Sequence, residues 1–289
     1  MLTKAEFQKL TEDRPLILDG ATGSNLQKAG MPRGCCTEKW ILEHPQALLQ
    51  LQQEYVEAGS QVIYAPTFQA QPIALEKEGL EKQTEKINAE LVQLSRKAAG
   101  KDTLVAGNLT TLAAFTDSFD ENCFDLLVEN YRRQIKGLLD GGVDLLAAET
   151  LMYPTEAEAI LTAAELECAE TVLYTFTMQP DGSLFSGRDA APILQGLEQA
   201  GAAAVGFNCV AADSMTAGLV SRLRRHVKGP LVCKPNAGNP IIGQDNLPHY
   251  PMRPEEFSAI LADCRAMGAS ILGGCCGTDP SFIRPLRKI

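Results

Sequence analysis

Two adjacent cysteines enclosed by glycines, in Gly273-Gly274-Cys275-Cys276-Gly277-Thr278, are the most chemically pointed feature of the chain, and Cys209 stands 66 residues earlier. Neighbouring side chains of an extended strand face opposite ways, so both thiols can grip one ion only where the backbone turns sharply. Flanking glycines permit such a turn. Three sulfurs with a vacant fourth position describe a catalytic zinc site, whereas structural zinc sites are closed by four protein ligands. Soft thiolates also favour zinc over magnesium or calcium. A single cysteine is more often a small buried hydrophobe, and Cys168, Cys233 and Cys264 are read that way. A glycine-rich loop could instead cradle a phosphate, but two thiols are odd neighbours for that task.

A thiol with a pKa near ~8.5 is mostly protonated at neutral pH, and coordination to zinc removes that proton. The thiolate so formed is a nucleophile for group transfer without a separate general base. If the thiol belongs to an amino acid, its ammonium and carboxylate must also be recognised. Asp19 and Glu149 are acceptors for an ammonium, and the turn Gly20-Ala21-Thr22-Gly23 could offer N–H groups to a carboxylate. Taken singly, Asp19 reads equally well as a helix N-cap and Glu149 as half of a structural ion pair.

These residues need a scaffold that brings distant segments to one place. Strand-like runs cover Leu16–Asp19, Gln61–Ala65, Thr103–Gly107, Val143–Ala148, Thr171–Phe176, Ala202–Phe207, Pro230–Lys234 and Ala269–Leu272. Each is separated from the next by room for a helix. Phe124, Leu127, Val128, Tyr131, Ile135 and Leu138 recur at helical steps, as do Phe257, Ile260, Leu261, Cys264 and Met267. Gly59, Gly141–Gly142 and Gly268 suit helix C-termini, and Pro254 suits a first turn. Eight such units predict a (β/α)8 TIM barrel, an α/β fold, with a doubly wound sheet as the lesser possibility. In a barrel the strand ends converge on one face. Asp19, Thr67, Asn108, Glu149, Asn208 with Cys209, Lys234 with Asn236, and Cys275 with Cys276 all fall there. The stretch Pro235–Pro254 reads as an active-site loop.

The 289 residues carry a net charge of −10, which argues against nucleic acid, since phosphate binding needs clustered Lys and Arg. No apolar run suggests a membrane span or signal peptide, so a cytoplasmic location is expected. Nine cysteines, an odd number, make a disulfide framework implausible there. His44, His226 and His249 have no motif around them.

The segments LDGATGSNL at 18–26, APTFQA at 65–70, AAET at 147–150, GFNC at 206–209, KPNAG at 234–238 and GGCCGTDP at 273–280 resemble the homocysteine S-methyltransferase family. The likeness is strongest to the homocysteine-binding barrel of cobalamin-dependent methionine synthase, and it runs from the first strand to the last. It implies one barrel domain over 1–289, Zn2+ on Cys209, Cys275 and Cys276, and methylation of homocysteine or a similar thiol to give methionine. It also implies substrate contacts from Asp19, Gly20, Thr67, Glu149, Asn208 and Asn236.

The family's betaine users carry an aromatic residue after TF, where this chain has Gln69, so an aromatic-caged quaternary ammonium donor is disfavoured. Methionine synthases append folate and cobalamin domains, and this chain ends just after the cysteine motif. The expected donor is therefore a methylated corrinoid protein acting in trans. The alternatives are a free sulfonium such as S-methylmethionine, a non-enzymatic zinc- or thiol-binding subunit, and an aldolase-like phosphate barrel in which Lys234 forms a Schiff base. Cys35 and Cys36 fall outside any motif and receive no role.

Overall fold

A computed structural model of the chain describes residues 1–116, 123–243 and 248–289. Its strands are β1 (Leu16–Ile17), β2 (Val62–Tyr64), β3 (Leu104–Thr110), β4 (Leu145–Leu151), β5 (Val172–Phe176), β6 (Ala204–Ala211), β7 (Leu231–Asn236), β8 (Ile241–Ile242), β9 (Pro248–His249) and β10 (Ile271–Leu272). Eight of them form one parallel sheet in the order β1-β10-β7-β6-β5-β4-β3-β2. A parallel bridge between Leu18 and Val62 joins the two outer strands, as does the Gln61 N–H donating to the Ile17 carbonyl at 2.7 Å. The sheet thus curls into the expected (β/α)8 barrel. The pair β8 and β9 lies outside it and is antiparallel. Of the loop expected over 235–254, residues 244–247 lie outside the described residues.

Helices follow the strands and cover the barrel. Pro45–Ala58 ends at Gly59 with φ +111°, and Phe124–Gly141 ends at Gly142 with φ +85°. Pro254–Ala266 starts on its proline and is followed by Gly268 with φ +109°. Only glycine enters this left-handed region without strain, which is why these positions stop helices. The Phe124–Gly141 helix buries Leu127, Tyr131, Ile135 and Leu138, the stripe its sequence period predicts.

Strand alternation divides the interior into two zones. Val62, Ala106, Leu145, Ala147, Leu173 and Val232 belong to one buried apolar cluster inside the barrel, together with Phe7 from the helix Lys4–Lys9. Two residues further along each strand the same face becomes polar, at Tyr64, Asn108, Glu149, Thr175 and Lys234. The expected runs stop at Gly107, Ala148, Phe207 and Lys234, short of Asn108, Glu149, Asn208 and Asn236. β3, β4, β6 and β7 instead continue to Thr110, Leu151, Ala211 and Asn236, because the polar side chains find partners in the barrel mouth. Among the described residues, no helix is long and apolar enough to cross a membrane.

Candidate active site

Strict alternation along β6 would aim Asn208 inward and Cys209 outward, away from the mouth. The strand avoids that outcome through a register shift against β7 between Asn208 and Ala211 and a left-handed backbone at Cys209, φ +56°. β4 repeats the device, with a shift between Ala148 and Leu151 and Thr150 at φ +59°. Non-glycine residues rarely adopt this region, and a β-branched threonine there stores strain. Asn208 holds the Thr150 kink. Its Oδ1 accepts the Thr150 N–H at 2.7 Å and the Thr175 hydroxyl at 2.9 Å, while its Nδ2 donates to the Thr150 hydroxyl at 2.7 Å.

The three cysteines of the sequence pattern meet. Cys209 Sγ lies 2.9 Å from Cys275 Sγ and 3.7 Å from Cys276 Sγ, and all three sulfurs fall within 4.8 Å of one another. They are free thiols, and 2.9 Å is far beyond the roughly 2.05 Å of a disulfide. Ligands about 2.3 Å from a tetrahedral zinc stand roughly 3.8 Å apart, so small adjustments would let this set share one ion. Mutual hydrogen bonding of the sulfurs holds Cys276 well below the usual thiol range, while Cys209 and Cys275 are pushed up and keep their protons.

The cysteine loop is tied on every side. Asn236 Nδ2 donates to the Cys209 carbonyl at 3.1 Å and its Oδ1 accepts the Cys276 N–H at 3.0 Å, so one amide spans both ligand segments. Thr278 Oγ1 donates to the Cys275 carbonyl at 2.7 Å and accepts the Ala21 N–H at 3.2 Å. Gly277 supplies φ +81°, and any side chain there would strike the Tyr250 ring. Gly274 is needed for closeness to Thr278 rather than for its torsion angles. The Tyr250 ring packs against the Gly277 turn beside Cys276, a contact with no sequence signal, since Tyr250 sits in a loop of unpatterned composition.

Beside the sulfurs lies a cavity of about 270 Å³ lined by Asp19, Gly20, Tyr64, Phe68, Asn108, Glu149, Thr150, Lys234 and the three cysteines, with other backbone. Asp19 is buried. Its Oδ2 accepts the Tyr64 N–H at 2.8 Å, and its Oδ1 has no partner among the described residues. Burial pushes its carboxyl up to about 7 against the pull of Lys234 and the Tyr64 N–H. Glu149 accepts from Asn108 Nδ2 at 2.9 Å and from Lys234 Nζ at 3.2 Å. Burial pushes the Glu149 carboxyl up, opposed by the Lys234 ammonium. Burial alone would depress Lys234, but Glu149, Cys275 and Asp19 outweigh it, and the side chain stays charged.

Of the residues expected to touch substrate, Asp19, Gly20 and Glu149 line the cavity, whereas Thr67, Asn208 and Asn236 stand behind its wall. Thr67 Oγ1 bonds the Asn108 backbone, donating to its carbonyl at 2.8 Å and accepting its N–H at 3.1 Å. From the segment TFQ it is Phe68 that faces the cavity, while Gln69 is exposed. Cys36 lies beside this region and donates to the buried Glu38, which also accepts the Gln69 N–H at 2.8 Å.

Residues 16–289 match the family model described as homocysteine S-methyltransferase. The homocysteine S-methyltransferase of Escherichia coli (strain K12) is 31% identical, over 94% of this chain and 94% of its own length. The methionine synthase of Mycobacterium leprae is 25% identical over 94% of this chain, which spans 24% of that protein. Among solved structures, the metallated form of the homocysteine methyltransferase MmuM from Escherichia coli superposes with a TM-score of 0.83 at 27% identity, covering 97% of this chain and 98% of that one.

Proposed function

The chain belongs to the homocysteine S-methyltransferase family, and on that premise we propose that it methylates the sulfur of homocysteine at Cys209, Cys275 and Cys276, with Zn2+ as the bound ion. The observation that carries this reading is the convergence of three free sulfurs, from β6 and from the loop after β10, beside a cavity that holds two buried carboxylates. Zn2+ bound to that set would supply a Lewis acid that keeps an incoming thiol deprotonated at neutral pH.

The chain's own residues do the rest. Asn236, Thr278 and the kink at Cys209 hold the sulfurs in place before any ligand arrives, so little ordering is left to the moment of reaction. Asp19 Oδ1 is an acceptor for the substrate ammonium. The methyl group then passes to the substrate sulfur in line, and the donor leaves with the electron pair of the broken bond.

Charge favours a small sulfonium as donor. The cavity combines Asp19, Glu149 and the cysteine cluster with the aromatic ring of Phe68, and the one resident ammonium, Lys234, offsets only part of that negative charge, so the lining still attracts a cation. A methylated corrinoid protein is the second reading. It is favoured by exposed Phe185, Met215, Ile241 and Ile242, which follow β5, β6 and β7 on the face where the cavity opens.

Protein loaded with zinc and supplied with homocysteine and S-methylmethionine forms methionine, and methylcobalamin in place of the sulfonium tests the second donor. Turnover with neither donor would overturn the reading. Cys275→Ala should lose bound zinc in metal analysis, and full retention would reject the three-sulfur site.

A further inference from the structure

An amino-acid substrate brings an ammonium into this cavity, yet the cavity already contains one. Lys234 Nζ sits 3.2 Å from Glu149 Oε2, and the two side chains are 4% and 10% exposed. The Lys234 ammonium also lies 5.0 Å from the centroid of the Tyr64 ring. Glu149 is filled on its other oxygen too, by Asn108 Nδ2 at 2.9 Å. Asp19 differs. One of its oxygens takes the Tyr64 N–H, and the other, in a residue 1% exposed that lines the cavity, has no partner among the described residues. A buried acceptor left open beside a cavity marks where a ligand donor belongs.

Resting on the thiol-methylation reading above, we propose that Lys234 is a specificity-determining residue: a resident ammonium that occupies Glu149 and leaves the substrate ammonium to Asp19 alone. Without Lys234 the cavity would hold two buried carboxyl groups and no internal cation, so that an incoming ammonium would be the charge that lets both ionise and could bind both. With it, one carboxylate is neutralised from within. A thiol acid lacking the α-ammonium then leaves a single acceptor unfilled instead of two, and the cavity admits it with a smaller penalty. Lys234 therefore sets how sharply the enzyme separates homocysteine from its desamino analogue, 4-mercaptobutanoate. Geometry on β7 supports this role, because Lys234 follows Val232 on the inward face and is 3% exposed, held on Glu149 inside the cavity wall.

The test compares kcat/KM for homocysteine and 4-mercaptobutanoate, and in parallel the calorimetric affinities of L-methionine and 4-(methylthio)butanoate, which carry the same two tails without a free thiol. Lys234→Met should raise the preference for the ammonium-bearing member at least about tenfold in both assays, because Glu149 becomes a second acceptor. Lys234→Arg, which keeps the charge, should stay within about threefold of wild type. Asp19→Asn, with Lys234 untouched, should bring the preference to within about threefold of unity, and this variant decides the matter if Lys234→Met fails to fold. A preference that survives Asp19→Asn, or that does not rise in Lys234→Met, overturns the proposal. If wild type binds the two probes as described but turns over with neither donor, the methylation reading falls and the role of Lys234 stands. Turnover with an unmoved preference removes only Lys234.

Discussion

Asn236 is the side chain whose loss should be most informative about the sulfur cluster, since its one amide holds the Cys209 carbonyl and the Cys276 N–H together. Asn236→Ala leaves all three sulfurs present but unbraced, and outer partners of this kind are typically worth 10–100-fold in metal affinity. Competition with a chromogenic chelator should show zinc binding weakened by roughly that factor, while an unchanged constant would reduce Asn236 to loop packing. Asp19 makes a second prediction at this scale. Its carboxyl titrates at about 7 in the folded protein, chiefly because it is buried, against about 3.9 in an unfolded chain. The folded state therefore binds more protons between these values. The stability Asp19 contributes is fully present below pH ~4 and is lost as pH rises to ~7, on the order of 4 kcal/mol in all. Urea unfolding of ligand-free, chelated protein should show wild type losing that margin against Asp19→Asn across the window, and parallel curves would refute it. Neither role is visible in residue type alone, because an asparagine after a strand and an aspartate before a glycine occur in many settings.

At the scale of the strand, the decisive features are close approaches and kinks. Gly206 on β6 lies against the Val232 backbone of β7, where an added Cβ would collide with the carbonyl oxygen and the amide. Backbone cannot move aside as a side-chain tip can, so Gly206→Ala should cost about 2–4 kcal/mol, read as a lower urea midpoint at unchanged m-value. A neutral result would mean that β6 and β7 can slide apart, which would also release Cys209. The left-handed Cys209 and Thr150 belong to the same scale. They had no sequence signature, since such kinks normally draw glycine or asparagine, and here Asn208 bonds the Thr150 segment while Asn236 bonds the Cys209 carbonyl. The extra length of β3, β4, β6 and β7 was equally hidden, because Asn108, Glu149, Asn208 and Asn236 look like loop residues until their partners across the barrel are known.

For the whole molecule, the three sulfurs join β6 to the loop after the last barrel strand, so an ion shared among them would clamp segments far apart in sequence. Binding to the folded state alone stabilises it by about 4 kcal/mol at a thousandfold excess over Kd. Stripping zinc with a chelator should therefore lower Tm by several degrees, and Cys275→Ala should show no further drop on chelation; equal responses in both proteins would exclude the clamp. By itself the sequence determined the number and order of the βα units, the helix stops at Gly59, Gly142 and Gly268, and the identity of the three cysteines. Those properties follow from local period, local torsion preference and a motif of unusual composition. Only the tertiary structure decided that Thr67, Asn208 and Asn236 brace the wall instead of lining the cavity, that Phe68 and Tyr250 reach the site, and that Lys234 already fills Glu149. Such assignments depend on what stands opposite each side chain across a closed barrel, and the neighbour opposite is set by strand register and kinks, which no single segment encodes.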